Sequence, residues 1–364
     1  MTSPNAMIQS ANRTKSMFPP SNESDVSSIV AWSQHLHKSI LSFVSWQEIG
    51  DLFSNKWLRR EWNLIEVKKR KSLSILTIVG KVLLTLVFIV VITVLLSVAA
   101  AVVAILRHPD HDISMAGVAG DPFFIKAALW AQIIGFISGV VLSYAIFERR
   151  KGWTLGLQAH LLGRRFGEGF AAGALLITIS SAGIWLLGGI KIVSYQWTGT
   201  LGLELSWSFL LFVGVAVNEE LFARGYLQGL VKERFGAISG ITVSTVVFAF
   251  LHTFNPGMWS SPLPIMNLLL AGLLFALSRE YSGGLWMPIG MHLSWNFFQG
   301  CILGFEVSGT PMPSLIKTEI QGASLISGAD FGAEGSLVTT LILILGIVLI
   351  STYYQKRAGK MQMN

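Results

Sequence analysis

Three short stretches of this chain place ionisable or amide side chains where apolar ones are otherwise the rule. They are Asn218-Glu219-Glu220-Leu221-Phe222-Ala223-Arg224, Phe248-Ala249-Phe250-Leu251-His252 and His292-Leu293-Ser294-Trp295-Asn296. An ionisable group at the centre of a membrane helix costs roughly 2.5 to 3.5 kcal/mol, so such groups mark a function or a pairing. Residues four apart on a helix share a face. Glu220 and Arg224 can therefore neutralise each other, whereas Glu219 is rotated by roughly 100° and has no local cation. A carboxylate left in that state suits a general base that takes a proton from water. His292 and Asn296 also share a face and together offer hydrogen-bond donors of the kind a developing oxyanion needs. Taken singly, each could equally tie neighbouring helices together at about 0.6 kcal/mol per contact. His252 gains weight from the company of Glu219 and His292. Those three would also give a zinc ion three N and O ligands and an open fourth position for water. Asn is a poor zinc ligand, and its pairing with His292 favours a metal-free water.

The elements that must position these residues are membrane helices. The chain has 364 residues, 52% of them apolar and 13% charged, with a mean hydropathy of +0.59. An average soluble domain carries about 25% charged residues, so this chain has half the charge needed to solvate a surface of its size. A single cysteine, Cys301, excludes an internal disulfide framework. Uncharged runs long enough to cross a bilayer, about 20 residues each, extend over 82–106, 127–147, 169–190 and 335–355. Four further spans, interrupted by polar residues, fall at about 205–230, 236–253, 265–278 and 284–304. The expected fold class is all-α, a polytopic transmembrane helical bundle of about eight spans.

The formal charge of +7 points to a membrane surface and not to nucleic acid, because the cations sit between apolar runs. Lys68 to Lys71, Arg149 to Lys151, Arg164, Arg165, Lys232, Arg234, Arg279, Lys356, Arg357 and Lys360 all fall on one side. The other side receives Arg107, Lys126, Lys191 and Lys317. The rule that cationic loops stay inside then places both termini in the cytoplasm, in a multi-pass protein expected in the plasma membrane. Residues 1–28 read as a disordered polar tail. Residues 29–71 read as an amphipathic, basic juxtamembrane segment, with Trp32, Trp46, Trp57 and Trp62, that lies in the headgroup layer or docks a cytoplasmic partner through 29–66. The transmembrane domain occupies 72–360.

The ordered set Glu-Glu-x-x-x-Arg at 219–224, Phe-x-x-x-His at 248–252 and His-x-x-x-Asn at 292–296 resembles the CPBP (Abi) family of intramembrane proteases. That family includes the type II CAAX prenyl endopeptidases and bacteriocin-processing or self-immunity proteins. The resemblance covers about residues 203–305 and leaves the first 70 residues outside. It implies a membrane-embedded, glutamate-dependent endopeptidase, often labelled a metalloprotease, in which Glu219 and His252 activate water. It also implies that His292 and Asn296 hold the oxyanion while Glu220 and Arg224 brace the first motif. The substrate would be a membrane-bound peptide or lipidated protein, cut close to or within the cytoplasmic half of the bilayer. The spacing departs from the zinc motif His-Glu-x-x-His. Two other readings compete with this one. A non-catalytic scaffold or immunity protein would use the tail, and a proton-coupled transporter would use Glu219, although the chain shows none of the internal repeats common in transporters.

Overall fold

The computed structural model describes residues 75–107 and 114–361. The expected tail, 1–28, and the whole of the expected 29–71 segment lie outside the described residues. Six helices are long and apolar enough to cross a membrane: Ile75–Arg107, Pro122–Phe147, Ala159–Leu186, Leu201–Leu251, Leu263–Ser282 and Leu337–Lys356. The fold is all-α, with six such helices among the described residues, a coarser result than the eight spans expected from the sequence.

In chain order the elements are α1 (Ile75–Arg107), α2 (Met115–Gly120), α3 (Pro122–Phe147), α4 (Leu162–Leu186), β1 (Ile190–Tyr195) and α5 (Leu201–Glu220). A π turn, Leu221–Leu227, continues α5 into α6 (Gln228–Leu251). Then come α7 (Leu263–Ser282), α8 (Trp286–Phe297) with a second π turn at Phe298–Ile302, β2 (Ile316–Ile320), α9 (Ser324–Ser327) and α10 (Leu337–Met361).

The 51-residue apolar stretch is not one rod. Gly236 has φ 84° and ψ 169° in its midst, a left-sided conformation open to glycine because it lacks a Cβ. Beyond it the chain turns back on itself. Ser244 Oγ donates to the Ala223 carbonyl at 2.8 Å, and a Cβ on Gly240 would lie 2.8 Å from the Gln228 carbonyl oxygen. Residues 201–235 and 237–251 thus form a helical hairpin, close to the two spans expected there. Elsewhere the boundaries moved. The helix expected at 265–278 runs the full length of α7, while α8 is only 12 residues long. The expected 169–190 span begins at Leu162 as α4, because Arg164 and Arg165 open the helix in ion pairs with Glu168 at 2.8 Å each.

Glycines set how closely the helices approach. A Cβ on Gly169, Gly173 or Gly290 would meet a main-chain oxygen of the facing helix at 2.0, 2.2 or 2.4 Å. These three lock α4 against α8, the helix that carries His292 and Asn296. Membrane helices pack through such small residues because lipid gives them no hydrophobic drive to associate. Gly173→Leu is expected to force the pair apart, destabilise the fold by about 1–3 kcal/mol as overpacking does, and so lower the melting temperature in detergent. Unchanged melting would show that the contact is not tight.

The loops gather at two ends. At one end lie Arg149, Arg150, Lys151, Lys232, Arg234 and Arg279. Here Glu148 is buried and paired with Lys81 and with Lys151. Burial opposes its charge, but hydrogen bonds from Lys81, Lys151 and Trp153 prevail and hold its carboxyl below the usual range. Lys232 pairs with Glu280 at 2.5 Å. At the opposite end β1 and β2 form a two-stranded antiparallel sheet, with Ile190 opposite Ile320 and Tyr195 opposite Ile316. The sequence reading did not anticipate this sheet.

Candidate active site

The three motif helices meet around a cavity of about 220 Å³ lined by Glu219, His252, His292 and Asn296. Each motif residue reaches it from a different stretch of backbone. Glu219 and Glu220 close α5 immediately before the π turn that contains Arg224. One-turn π segments recur at functional sites because the extra residue re-aims the side chains around it. His252 caps α6, and α8 supplies His292 and Asn296.

Glu220 and Arg224 are both fully buried, and Arg224 Nη1 donates to Glu220 Oε1 at 2.9 Å. Arg224 Nη2 donates to the Gly272 carbonyl at 3.1 Å, and its guanidinium lies over the rings of Phe248 at 4.0 Å and Phe275 at 5.3 Å. The same Glu220 Oε1 lies 3.0 Å from His292 Nδ1. A carboxylate beside the ring nitrogen fixes Nδ1 as the proton-bearing one and orients the ring. Phe275 stacks on that ring at 5.2 Å. His292 Nε2 is thereby turned to within 4.0 Å of Glu219 Oε2.

His252 is oriented in a parallel way. Its Nδ1 lies 2.8 Å from the Phe248 carbonyl, which can only accept, so Nδ1 carries the proton. The ring then turns Nε2 toward Glu219, 3.7 Å from Oε2. A polar separation beyond 3.5 Å suits a bridging water. Glu219 Oε2 is buried and has no hydrogen-bond partner among the described residues, while the Glu219 side chain as a whole is 29% exposed and His252 15%. Asn296 is buried and lines the same cavity.

The sequence reading missed the rest of the wall. The segment from 303 to 336 folds over the cavity and contributes Val307, Ser308, Thr310, Met312 and Glu334, while Asn255 comes from the loop after α6. Val307 and Thr310 pair as a two-residue hairpin, with Ser308 at φ 48° and Gly309 at φ 80°. Positive φ at both central residues is what a tight type I′ loop demands, and Ser308 needs help to adopt it. Glu334 Oε2 accepts from Ser308 N at 2.8 Å and from Ser308 Oγ at 2.7 Å. Asn267 on α7 clamps the other side by donating to the carbonyls of Glu334 at 2.7 Å and Ser336 at 2.9 Å. Burial and the nearby Asp330 push the Glu306 carboxyl up. The only sequence sign of this wall is a carboxylate flanked by glycines, Gly332-Ala333-Glu334-Gly335, ahead of the last span.

Among the described residues no three of His, Cys, Asp and Glu stand together in a way that could hold a metal ion. The alternative zinc set Glu219, His252 and His292 is not one such group, and no step is routed through a metal. His252 lies at the far end of α6 from Lys232 and Arg234, and the cavity wall comes from loops opposite the cationic end.

An apolar helical bundle with a cavity where carboxylates and imidazoles converge defines a membrane protease-like fold. A family model described as Rce1-like, type II CAAX prenyl endopeptidase Rce1-like, matches residues 200–298. The chain carries a Rce1-like CAAX protease domain, related to the CPBP and Abi proteins, over those residues. The match spans about a quarter of the chain and includes all three motifs. No curated protein and no solved structure matches the chain.

Proposed function

We propose that this protein is an intramembrane endopeptidase that hydrolyses a peptide bond of a membrane-associated or lipid-modified polypeptide. The observation that carries this reading is Glu219 Oε2, without a hydrogen-bond partner among the described residues, between the Nε2 atoms of His252 and His292 in the cavity. A water there donates one hydrogen to Glu219 and the other to the His252 lone pair, which leaves its oxygen lone pair for a substrate carbonyl. Glu219 takes the proton as the oxygen–carbon bond forms. The charge moves to the carbonyl oxygen, where the Asn296 amide and the His292 Nε2 proton meet it. That second donation requires a proton on His292 Nε2 as well as the one on Nδ1 that Glu220 accepts. Glu219 then passes its proton to the leaving amine as the carbon–nitrogen bond breaks.

The chain's helical segments, including the hairpin arms and α8, amount to eight passes with both termini in the cytoplasm, in the plasma membrane. Residues 29–66 serve as the docking segment for a cytoplasmic partner.

Asn296→Ala tests the oxyanion assignment. Removing one such donor costs about 10²- to 10³-fold in kcat, so a loss in kcat on a membrane-tethered peptide with KM little changed is expected. A KM effect alone would assign Asn296 to substrate binding.

A further inference from the structure

The position of the cavity along the bundle, set against the charge at its two ends, points to the side from which a substrate arrives. We propose that the cavity takes its substrate from the extracytoplasmic face, so that the chain cuts an outward-facing segment of a membrane-anchored polypeptide and not a cytoplasmic lipidated terminus. The proposal rests on the endopeptidase reading for the cutting, but not for the orientation.

The helix directions fix which loops share an end. Pairs that face each other across α4 and α8 keep a constant offset, Gly169 with Met287 and Gly173 with Met291, so these helices run parallel. Arg224 reaches Gly272, Gln228 reaches the Ala276 carbonyl and Lys232 reaches Glu280, so the hairpin's first arm runs parallel to α7. Arg165 donates to Tyr354 Oη, while Gly183 meets Val338, so α4 and α10 are antiparallel. Together these put the starts of α4 and α8, the ends of α3, α7 and α10, and the turn at Gly236 at one end. That end holds Arg149, Arg150, Lys151, Arg164, Arg165, Lys232, Arg234, Arg279 and Lys356. At the opposite end the described cations are Arg107, Lys126, Lys191 and Lys317, set among Asp121, Glu204, Glu306, Glu319, Asp330 and Glu334. Short cationic loops are retained in the cytoplasm, so the second end faces outward.

The cavity belongs to that second end. Its outer wall is the Ser308 hairpin held by Glu334, and a Cβ on Gly309 would lie 2.1 Å from the Pro256 carbonyl oxygen, which ties this hairpin to the loop after His252. Thr310 is exposed and also lines the cavity, so the cavity opens to the surface there. The wall lies beyond residue 298, outside the matched domain. The substrate's side of approach is thus set by this chain's own 303–336 segment.

Single cysteines test the orientation in the full chain without any catalytic assay. Cys301 is fully buried and serves as the dark background. Thr310→Cys, Glu319→Cys and Arg150→Cys are treated with a membrane-impermeant maleimide in intact spheroplasts and again after permeabilisation. Labelling of the cysteines at 310 and 319 in intact spheroplasts at least ten-fold above that at 150, with position 150 catching up after permeabilisation, is expected. Glu319→Cys lies on β2, away from the cavity, and keeps the test alive if the Thr310 variant fails to fold. Labelling at 150 alone in intact spheroplasts would overturn the proposal. In sealed right-side-out vesicles, a reporter peptide tethered to the outer leaflet should be cut in a Glu219-dependent manner. Cutting confined to inner-leaflet reporters overturns the proposal, whereas outward labelling with no cutting on either side overturns the endopeptidase reading and leaves the orientation standing.

Discussion

Glu219→Gln is expected to abolish the proposed peptide-bond hydrolysis while the bundle stays folded. A positioned general base contributes about 10²- to 10⁴-fold, and Glu219 has the water to itself because Glu220 is committed to Arg224 and His292. Glutamine keeps the side chain's size but cannot take the proton. It breaks no protein hydrogen bond, since none is made by Glu219 Oε2 among the described residues, so the melting temperature should move little. The measurement is kcat on a membrane-tethered peptide beside thermal unfolding in detergent. A variant that cuts at the native rate would remove Glu219 as the base, and with it the proposed mechanism. His252→Gln should cost less, because it removes one of the two acceptors that orient the water and leaves the base in place.

The largest stability effect is expected at Arg224. Arg224→Ala leaves Glu220 buried with only His292 as a partner and empties the space between Phe248 and Phe275. Removing one member of a buried ion pair costs about 3–5 kcal/mol, mostly from the charge left behind. We expect a severe loss of folded protein in detergent and, with it, of activity. Arg224→Lys keeps the charge but loses the planar fork that serves Glu220 and Gly272 together, and it should fall between the two. Replacing both Glu220 and Arg224 by Met removes both charges at similar volume and should restore most of the stability. Activity should not return with it, because His292 loses the carboxylate that holds Nδ1. Native-like melting of Arg224→Ala would show that the pair does not brace the site. Recovery of activity in the double variant would show that Glu220 does not orient His292.

How much of this was legible in the sequence follows from which contacts are local. The Glu220 to Arg224 pair was readable because helix geometry alone brings residues four apart together, and the structure has it at 2.9 Å. The shared face of His292 and Asn296 was readable for the same reason, and both line the cavity. The reversal at Gly236 was signalled by a glycine after the cationic run Lys232 to Arg234. The length of α7 was not readable, because Arg279 and Glu280 look like loop residues until the partners of Glu280, Lys232 and Gln228 on a distant helix, are known.

The sequence by itself determined that the chain is an apolar helical bundle, that most of its cations mark one end, and that a few polar residues inside it need a reason. These are consequences of composition and of a fixed helical period. Only the tertiary structure decided that Glu219 lies between imidazoles from two other helices, that Glu220 serves Arg224 and His292 at once, and that Glu334 holds a hairpin in the cavity wall. Those contacts join residues tens of positions apart. They depend on the depth at which glycine-bearing helices slide against one another, and small residues spread along many membrane helices do not reveal which two will meet. The end of the bundle to which the cavity belongs was settled in the same way, by the return of the 303–336 segment over His252 and not by any motif.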